Sequence, residues 1–280
     1  MKKSLVPLFL ALLALVAGAE SPASGGVQVS LICETTGVTA GRAFSVGFKI
    51  HHLEGYHTYW QNPGIAGVPT ALAWTLPEGF SAGPIQWPVP EKTLMAIHPV
   101  HGYERDVTLV VDIKAPGRIG TETVKLAADA TWMACAKGCN PGKQLLEIVL
   151  PVTATPVVNP ATADEFAKAR AEIPTPMKNR SVALLSARDS KEIQISLKPP
   201  TTPLEQISGE IYFFSSDGQV SSDQPQRVER GDDGSLTIFL TRSEYSPTGR
   251  PSLPGVLKCA SPLDAAGRTF AAIDPAYPPQ

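Results

Sequence analysis

A chain of 280 residues with a formal charge of −2 and scattered charges offers neither the basic face that nucleic acid requires nor a polybasic patch for an anionic membrane surface. Its 27 prolines, nearly double the usual share of about 5%, sit beside 43% apolar residues, a composition that favours short strands and loops over helices. Four cysteines permit disulfide chemistry in an oxidising compartment, in pairings that counting alone does not settle.

The N-terminus reads as a secretory signal over 1–19. Lys2 and Lys3 precede an apolar stretch from Leu5 to Ala17, and Ala17-Gly18-Ala19 fits the small-x-small cleavage rule. The stretch is shorter than the ~20 residues a spanning helix needs. A mature chain starting near Glu20, periplasmic or secreted and without stable membrane insertion, is the expectation.

Alternating apolar residues then mark half-buried strands: Val27 to Cys33, Phe44 to Ile50, Val107 to Ile113, Val124 to Trp132 and Leu146 to Val152. Turn signals such as Ala115-Pro116-Gly117 separate them, and no helices alternate with them, which points to antiparallel sandwiches. Residues 157–176 read as a linker. Within it Thr162 to Glu172 forms one short helix, with Thr162 as cap and Glu165 as its capping-box partner. Alternation returns at Ile193, Ile195 and Leu197 and at Leu236, Ile238 and Leu240, while Ile211 to Phe214 reads as a central strand. The expectation is an all-β protein of two tandem immunoglobulin-like β-sandwich domains, 20–156 and 177–280, joined by a short helical linker.

Cys135-Ala136-Lys137-Gly138-Cys139 is the constellation with reactive potential. It follows the strand ending at Trp132 and precedes Asn140-Pro141-Gly142, which reads as a turn, so the pair is expected on an edge loop. The spacing allows two sulfurs to meet, Gly138 would ease the closure, and Lys137 would favour a thiolate. A structural staple, redox exchange and a metal site all fit that spacing. The metal reading would need His57, His98 or His101 beside the thiolates, and nothing in the spacing gathers them, so no metal and no cofactor are expected. Cys33 and Cys259 read as buried thiols, with an interdomain disulfide as the alternative. The dense run of aromatics from Tyr56 to Trp60 reads first as packing and second as a binding surface.

Five segments carry a family resemblance: G-Y-H-T-Y-W-Q-N-P-G at 55–64, W-T-L-P-E-G at 74–79, I-Q-W-P-V-P at 85–90, G-Y-E-R-D-V-T-L at 102–109 and W-M-A-C-A-K-G-C-N-P at 132–141. In this order they resemble the periplasmic N-terminal domain of DsbD-type thiol:disulfide interchange proteins, in the two-domain form of ScsB-like relatives. The resemblance implies that Cys135 and Cys139 are a redox pair, a protein-disulfide reductase-like activity, and thioredoxin-fold periplasmic partners. It implies that Cys139 attacks the partner and that a cap at Leu94, Met95, Ala96 and Ile97 shields the pair, with Trp132, Lys137 and Tyr103 nearby. The membrane and thioredoxin-like domains of full-length DsbD have no counterpart in these 280 residues, so a separate membrane electron donor is expected. The alternatives are a non-catalytic envelope binding module with a structural disulfide, and a copper-handling thiol protein.

Overall fold

The computed structural model describes residues 25–178, 181–198, 208–264 and 266–279. The signal expected at 1–19 lies outside the described residues. The first half contains β1 (Val27–Cys33), β2 (Ala43–His52), β3 (Thr58–Gly64), β4 (Ala71–Thr75), β5 (Ser81–Gln86), β6 (Glu91–Met95), β7 (His98–Tyr103), β8 (Val107–Lys114), β9 (Thr123–Cys135) and β10 (Cys139–Pro151). Helix α1 (Ala163–Glu172) follows. Then come β11 (Val182–Leu184), β12 (Glu192–Leu197), β13 (Ile211–Ser215), β14 (Arg227–Arg230), β15 (Leu236–Thr241), β16 (Gly255–Cys259) and β17 (Phe270–Ile273).

All strand pairings are antiparallel, and the protein is all-β with this one α-helix among the described residues. In the first unit the sheet β1-β2-β8-β5 faces the sheet β10-β9-β4. The alternating residues read from sequence fill the space between: Val46, Phe48 and Ile50 from one side meet Leu126, Ala128, Ala130 and Trp132 from the other in one buried cluster. Burial of these apolar faces is what holds two such sheets together, at roughly 25 cal/mol per Å² removed from water. A third sheet, β3-β7-β6, lies beside them. The second unit pairs the sheets β11-β12-β15-β14 and β13-β16-β17 around its own cluster, which includes Ile193, Ile195, Phe213, Ile238 and Leu257.

Several local expectations are corrected. Asn140-Pro141-Gly142 is not a turn but the start of β10, paired with Ala134, Met133 and Trp132. Gly142 is there for room: a Cβ would come within 2.1 Å of the Trp132 ring. Ile211 to Phe214 is not a central strand: among the described residues β13 lies at the edge of its sheet, paired with β16 alone. It is apolar on both faces because Phe213 enters the second core while Phe214 reaches the first. Its outer edge is satisfied by the Gln226 side chain, which accepts from Phe213 N–H and donates to Phe213 C=O, each at 2.8 Å.

Helix α1 is stitched to the first unit. Phe166 and Ala169 pack on Val110, which lies on the outer face of β8. Arg170 binds the Glu34 carboxylate at 2.7 Å, and Glu172 binds Arg105 at 2.8 Å. The capping box is absent. Thr162 makes no side-chain cap bond and instead donates to the Cys33 carbonyl at 2.7 Å, while Glu165 accepts from Thr108 at 2.7 Å. Tertiary partners on the neighbouring sheet outcompete the local ones.

Two buried histidines give the fold a pH dependence. Burial pushes His52 down to about 4, with Asp106 offsetting part of the effect, and burial pushes His101 down to about 4 as well. Both are neutral in the folded protein, whereas the unfolded chain binds their protons near the ordinary imidazole value of about 6.5. Their contribution is therefore complete above that value and is lost as pH falls from about 6.5 toward 4, on the order of 2–3 kcal/mol for each. Urea unfolding at pH 7.5 and pH 4.5 is expected to show a smaller loss of stability for His101→Phe than for the parent chain. Parallel losses would contradict this.

Candidate functional site

The longest hairpin, β9–β10, ends in the cysteine pair. Cys135 and Cys139 stand directly opposite in the register and form a disulfide. The pair therefore closes a hairpin rather than sitting in a free edge loop. The two sulfurs differ in environment: Cys135 is fully buried, while Cys139 and Lys137 are exposed. Gly138 does not have the left-handed backbone expected of a strained closure, and a Cβ there would meet nothing.

Strand parity explains the burial of Cys135. Even-numbered residues of β9, from Val124 to Ala134, face the main core. Cys135 faces the opposite side and needs another cover. The sheet β3-β7-β6 supplies it, with Tyr59, Val100 and Met95 packed around Cys135 and Met133 beside it. The Tyr59 hydroxyl donates a hydrogen bond to Cys135 Sγ at 2.9 Å, and His57 Nε2 lies 3.3 Å from that hydroxyl. The backbone of His57 exchanges two hydrogen bonds with Cys135, at 2.9 and 3.0 Å. Gly67 makes space for the tyrosine, since a Cβ there would come within 2.2 Å of its ring.

Burial raises the Tyr59 pKa, so its hydroxyl stays a proton donor at neutral pH. Burial lowers His57, with Glu104 opposing, so that imidazole is neutral at neutral pH. A neutral donor chain against a buried sulfur favours a thiolate there without placing a full positive charge beside it.

The segment Leu94 to Ile97 forms the end of β6 and the tip of the β6–β7 hairpin, not an irregular loop. Met95 alone of the four reaches the Cys135 cluster, while Leu94 and Ile97 point outward, 58% and 83% exposed. Ala96 takes a left-handed φ of 56° at the tip. Trp132 and Tyr103 lie in the main core, and the Tyr103 hydroxyl donates to the Pro88 carbonyl at 2.8 Å. The histidines are dispersed. His101 bonds Tyr212, His57 faces Tyr59, and His98 is exposed in β7. Cys33 and Cys259 are buried thiols in separate cores and are not joined to each other.

Sequence reasoning missed Tyr59 as a site residue and considered His57 only as a metal ligand, not as the tyrosine's neighbour. The signal was present in the dense aromatic segment, read there as packing, because nothing in a one-dimensional pattern says that β3 crosses the end of β9.

Fold and site together define an immunoglobulin-like protein with a closed, asymmetrically exposed cysteine pair. Residues 32–151 match the family described as thiol:disulfide interchange protein DsbD, N-terminal, which bears out the resemblance. Among solved structures, the N-terminal periplasmic domain of ScsB from Proteus mirabilis matches with a TM-score of 0.62 at 16% identity. The match covers 94% of this chain and 98% of that one, a likeness of fold across both β-units. A comparison with curated protein sequences gives no match. Among the described residues, no helix is long and apolar enough to cross a membrane.

Removing the Tyr59 hydroxyl isolates its effect on the sulfur. A hydrogen bond to a charged group is worth about 1.5–3 kcal/mol. In a Cys139→Ser background, Tyr59→Phe is expected to raise the Cys135 thiol pKa by about one to two units. The thiolate absorbance near 240 nm, followed against pH, checks this. An unmoved titration would show that the hydroxyl does not act on the sulfur.

Proposed function

We propose that this protein is a periplasmic thiol–disulfide exchange module that passes electrons to or from thioredoxin-fold partners through Cys135 and Cys139. The observation that carries this is the asymmetry of the pair. One sulfur is open to a partner, and the other is buried and held by the Tyr59 hydroxyl. A staple needs no such division, whereas exchange needs an accessible attacking thiol and a protected resolving one.

In the electron-donating direction, the Cys139 thiolate attacks one sulfur of the partner's disulfide. An S–S bond forms between the chains and the partner's other sulfur leaves as a thiolate. Cys135, losing its proton as its thiolate accepts from Tyr59, then attacks Cys139 Sγ. The intramolecular disulfide forms, the second partner sulfur leaves, and the partner carries away two electrons and takes up two protons. The reverse sequence oxidises a reduced donor. Lys137, exposed beside Cys139, supplies positive charge where the first thiolate forms.

Cys135→Ser is expected to trap a mixed disulfide with a thioredoxin-fold partner through Cys139, and Cys139→Ser to trap far less, as judged on non-reducing gels with mass spectrometry of the linked peptide. A staple would behave otherwise. Both variants would lose stability, by about 2–3 kcal/mol for so short a loop, and neither would capture a partner. That result would overturn the proposal.

A further inference from the structure

The sheet that covers Cys135 has two faces, and alternate residues divide between them. Tyr59, Val100 and Met95 point at the cysteine. Their neighbours Trp60, His101 and Lys92 point away, onto the second β-unit. Trp60 meets the Phe214 ring edge-on at 6.2 Å, and His101 meets it at 4.9 Å. His101 Nε2 lies 3.1 Å from the Tyr212 hydroxyl. Lys92 pairs with Glu210 and sits 5.0 Å above the Tyr212 ring.

Polar pins reinforce this contact at both strand ends. Ser222 Oγ donates to the Pro99 carbonyl at 2.8 Å and accepts from Ile65 N–H at 3.0 Å, so a single hydroxyl joins the second unit to the end of β3 and to β7. Asn62 Nδ2 donates to the Ser215 carbonyl at 2.6 Å. By contrast, the hairpin tip at Ala96 and Ile97 is exposed. A sheet of three short strands depends on an apolar face packed against a partner for its stability in water. Here its other face is supported by β13 and the segment from Ser215 to Ser222.

We propose that the second β-unit is the back-plate of the sheet that shields Cys135, and that Tyr212 and Ser222 are positioning residues that set how often this cysteine is uncovered. The inference rests on the reading of Cys135 and Cys139 as an exchanging pair and assigns the second unit a part in it. Resolution of a mixed disulfide needs Cys135 to stay close to Cys139 and away from solvent and stray thiols. A cover held from behind provides this while leaving the hairpin tip free to yield to a partner. Loosening the back-plate would expose the resolving thiol without altering the pair itself.

The test measures alkylation of Cys135 by iodoacetamide in a Cys139→Ser background, with peptide-resolved mass spectrometry reporting Cys33 and Cys259 in the same sample. When opening is fast relative to modification, the rate follows the population of the open state. Ser222→Ala is expected to speed Cys135 alkylation by about fivefold, the effect of losing one buried hydrogen-bonded hydroxyl, and Tyr212→Ala by more. Cys33 and Cys259, in separate cores, should keep their rates. Glu210→Lys lies on the exposed rim, where folding tolerates it, and sets two ammonium groups against each other; it is expected to give a smaller rise of about threefold. Unchanged Cys135 rates in all three variants, or an equal rise at Cys33 and Cys259, would overturn the back-plate. Capture of a partner by Cys135→Ser is scored separately: its failure removes the exchange reading, while selective uncovering of Cys135 reports on the support alone.

Discussion

The site depends on strand parity. In β9 the even positions must face the core, because Leu126, Ala128, Ala130 and Trp132 form one wall of the sandwich. Cys135 has odd parity and is forced onto the outer face. The antiparallel register then sets Cys139 opposite it on that same face. An outward cysteine stays buried only if something covers it, and the third sheet exists in that place. From one register follow the disulfide and the need for a cover.

The same constraint sorts the polar groups. Tyr59 is buried enough that its hydroxyl must find a partner, and it finds the Cys135 sulfur. His57 reaches the tyrosine from the neighbouring strand position through its side chain while its backbone ties down Cys135. A hydroxyl donor rather than a fixed cation stabilises a thiolate when it forms and still tolerates a neutral disulfide when it does not. That reversibility suits the exchange proposed for the pair.

Much of the fold was legible because period-two alternation is a direct record of half-buried strands: Phe44 to Ile50, Val124 to Trp132 and Leu236 to Leu240 all lie in strands of the structure. The bond between Cys135 and Cys139 was legible as a possibility from their spacing, and the family likeness from the surrounding motifs. Other features were hidden for physical reasons. Pro141 and Gly142 look like a turn, yet the glycine is selected by the volume of Trp132 across the strand pair. The apolar run at Ile211 looks central, yet its second buried face belongs to contact with the other unit. The Thr162 capping box lost to partners more than fifty residues away in the chain, and Tyr59 reached Cys135 across a separation of 76. Such long-range contacts leave no local period to read.

The claim at the centre of this account is that Cys135 and Cys139 interconvert between dithiol and disulfide under the conditions of their compartment. Equilibration of the protein against glutathione buffers of graded ratio, with acid quench and thiol counting, measures this directly. An exchanging pair shows a reversible two-electron transition at a midpoint between roughly −120 and −270 mV, the interval spanned by thiol–disulfide oxidoreductases. A pair that remains fully oxidised throughout, with a midpoint below about −300 mV as for structural disulfides, would contradict it.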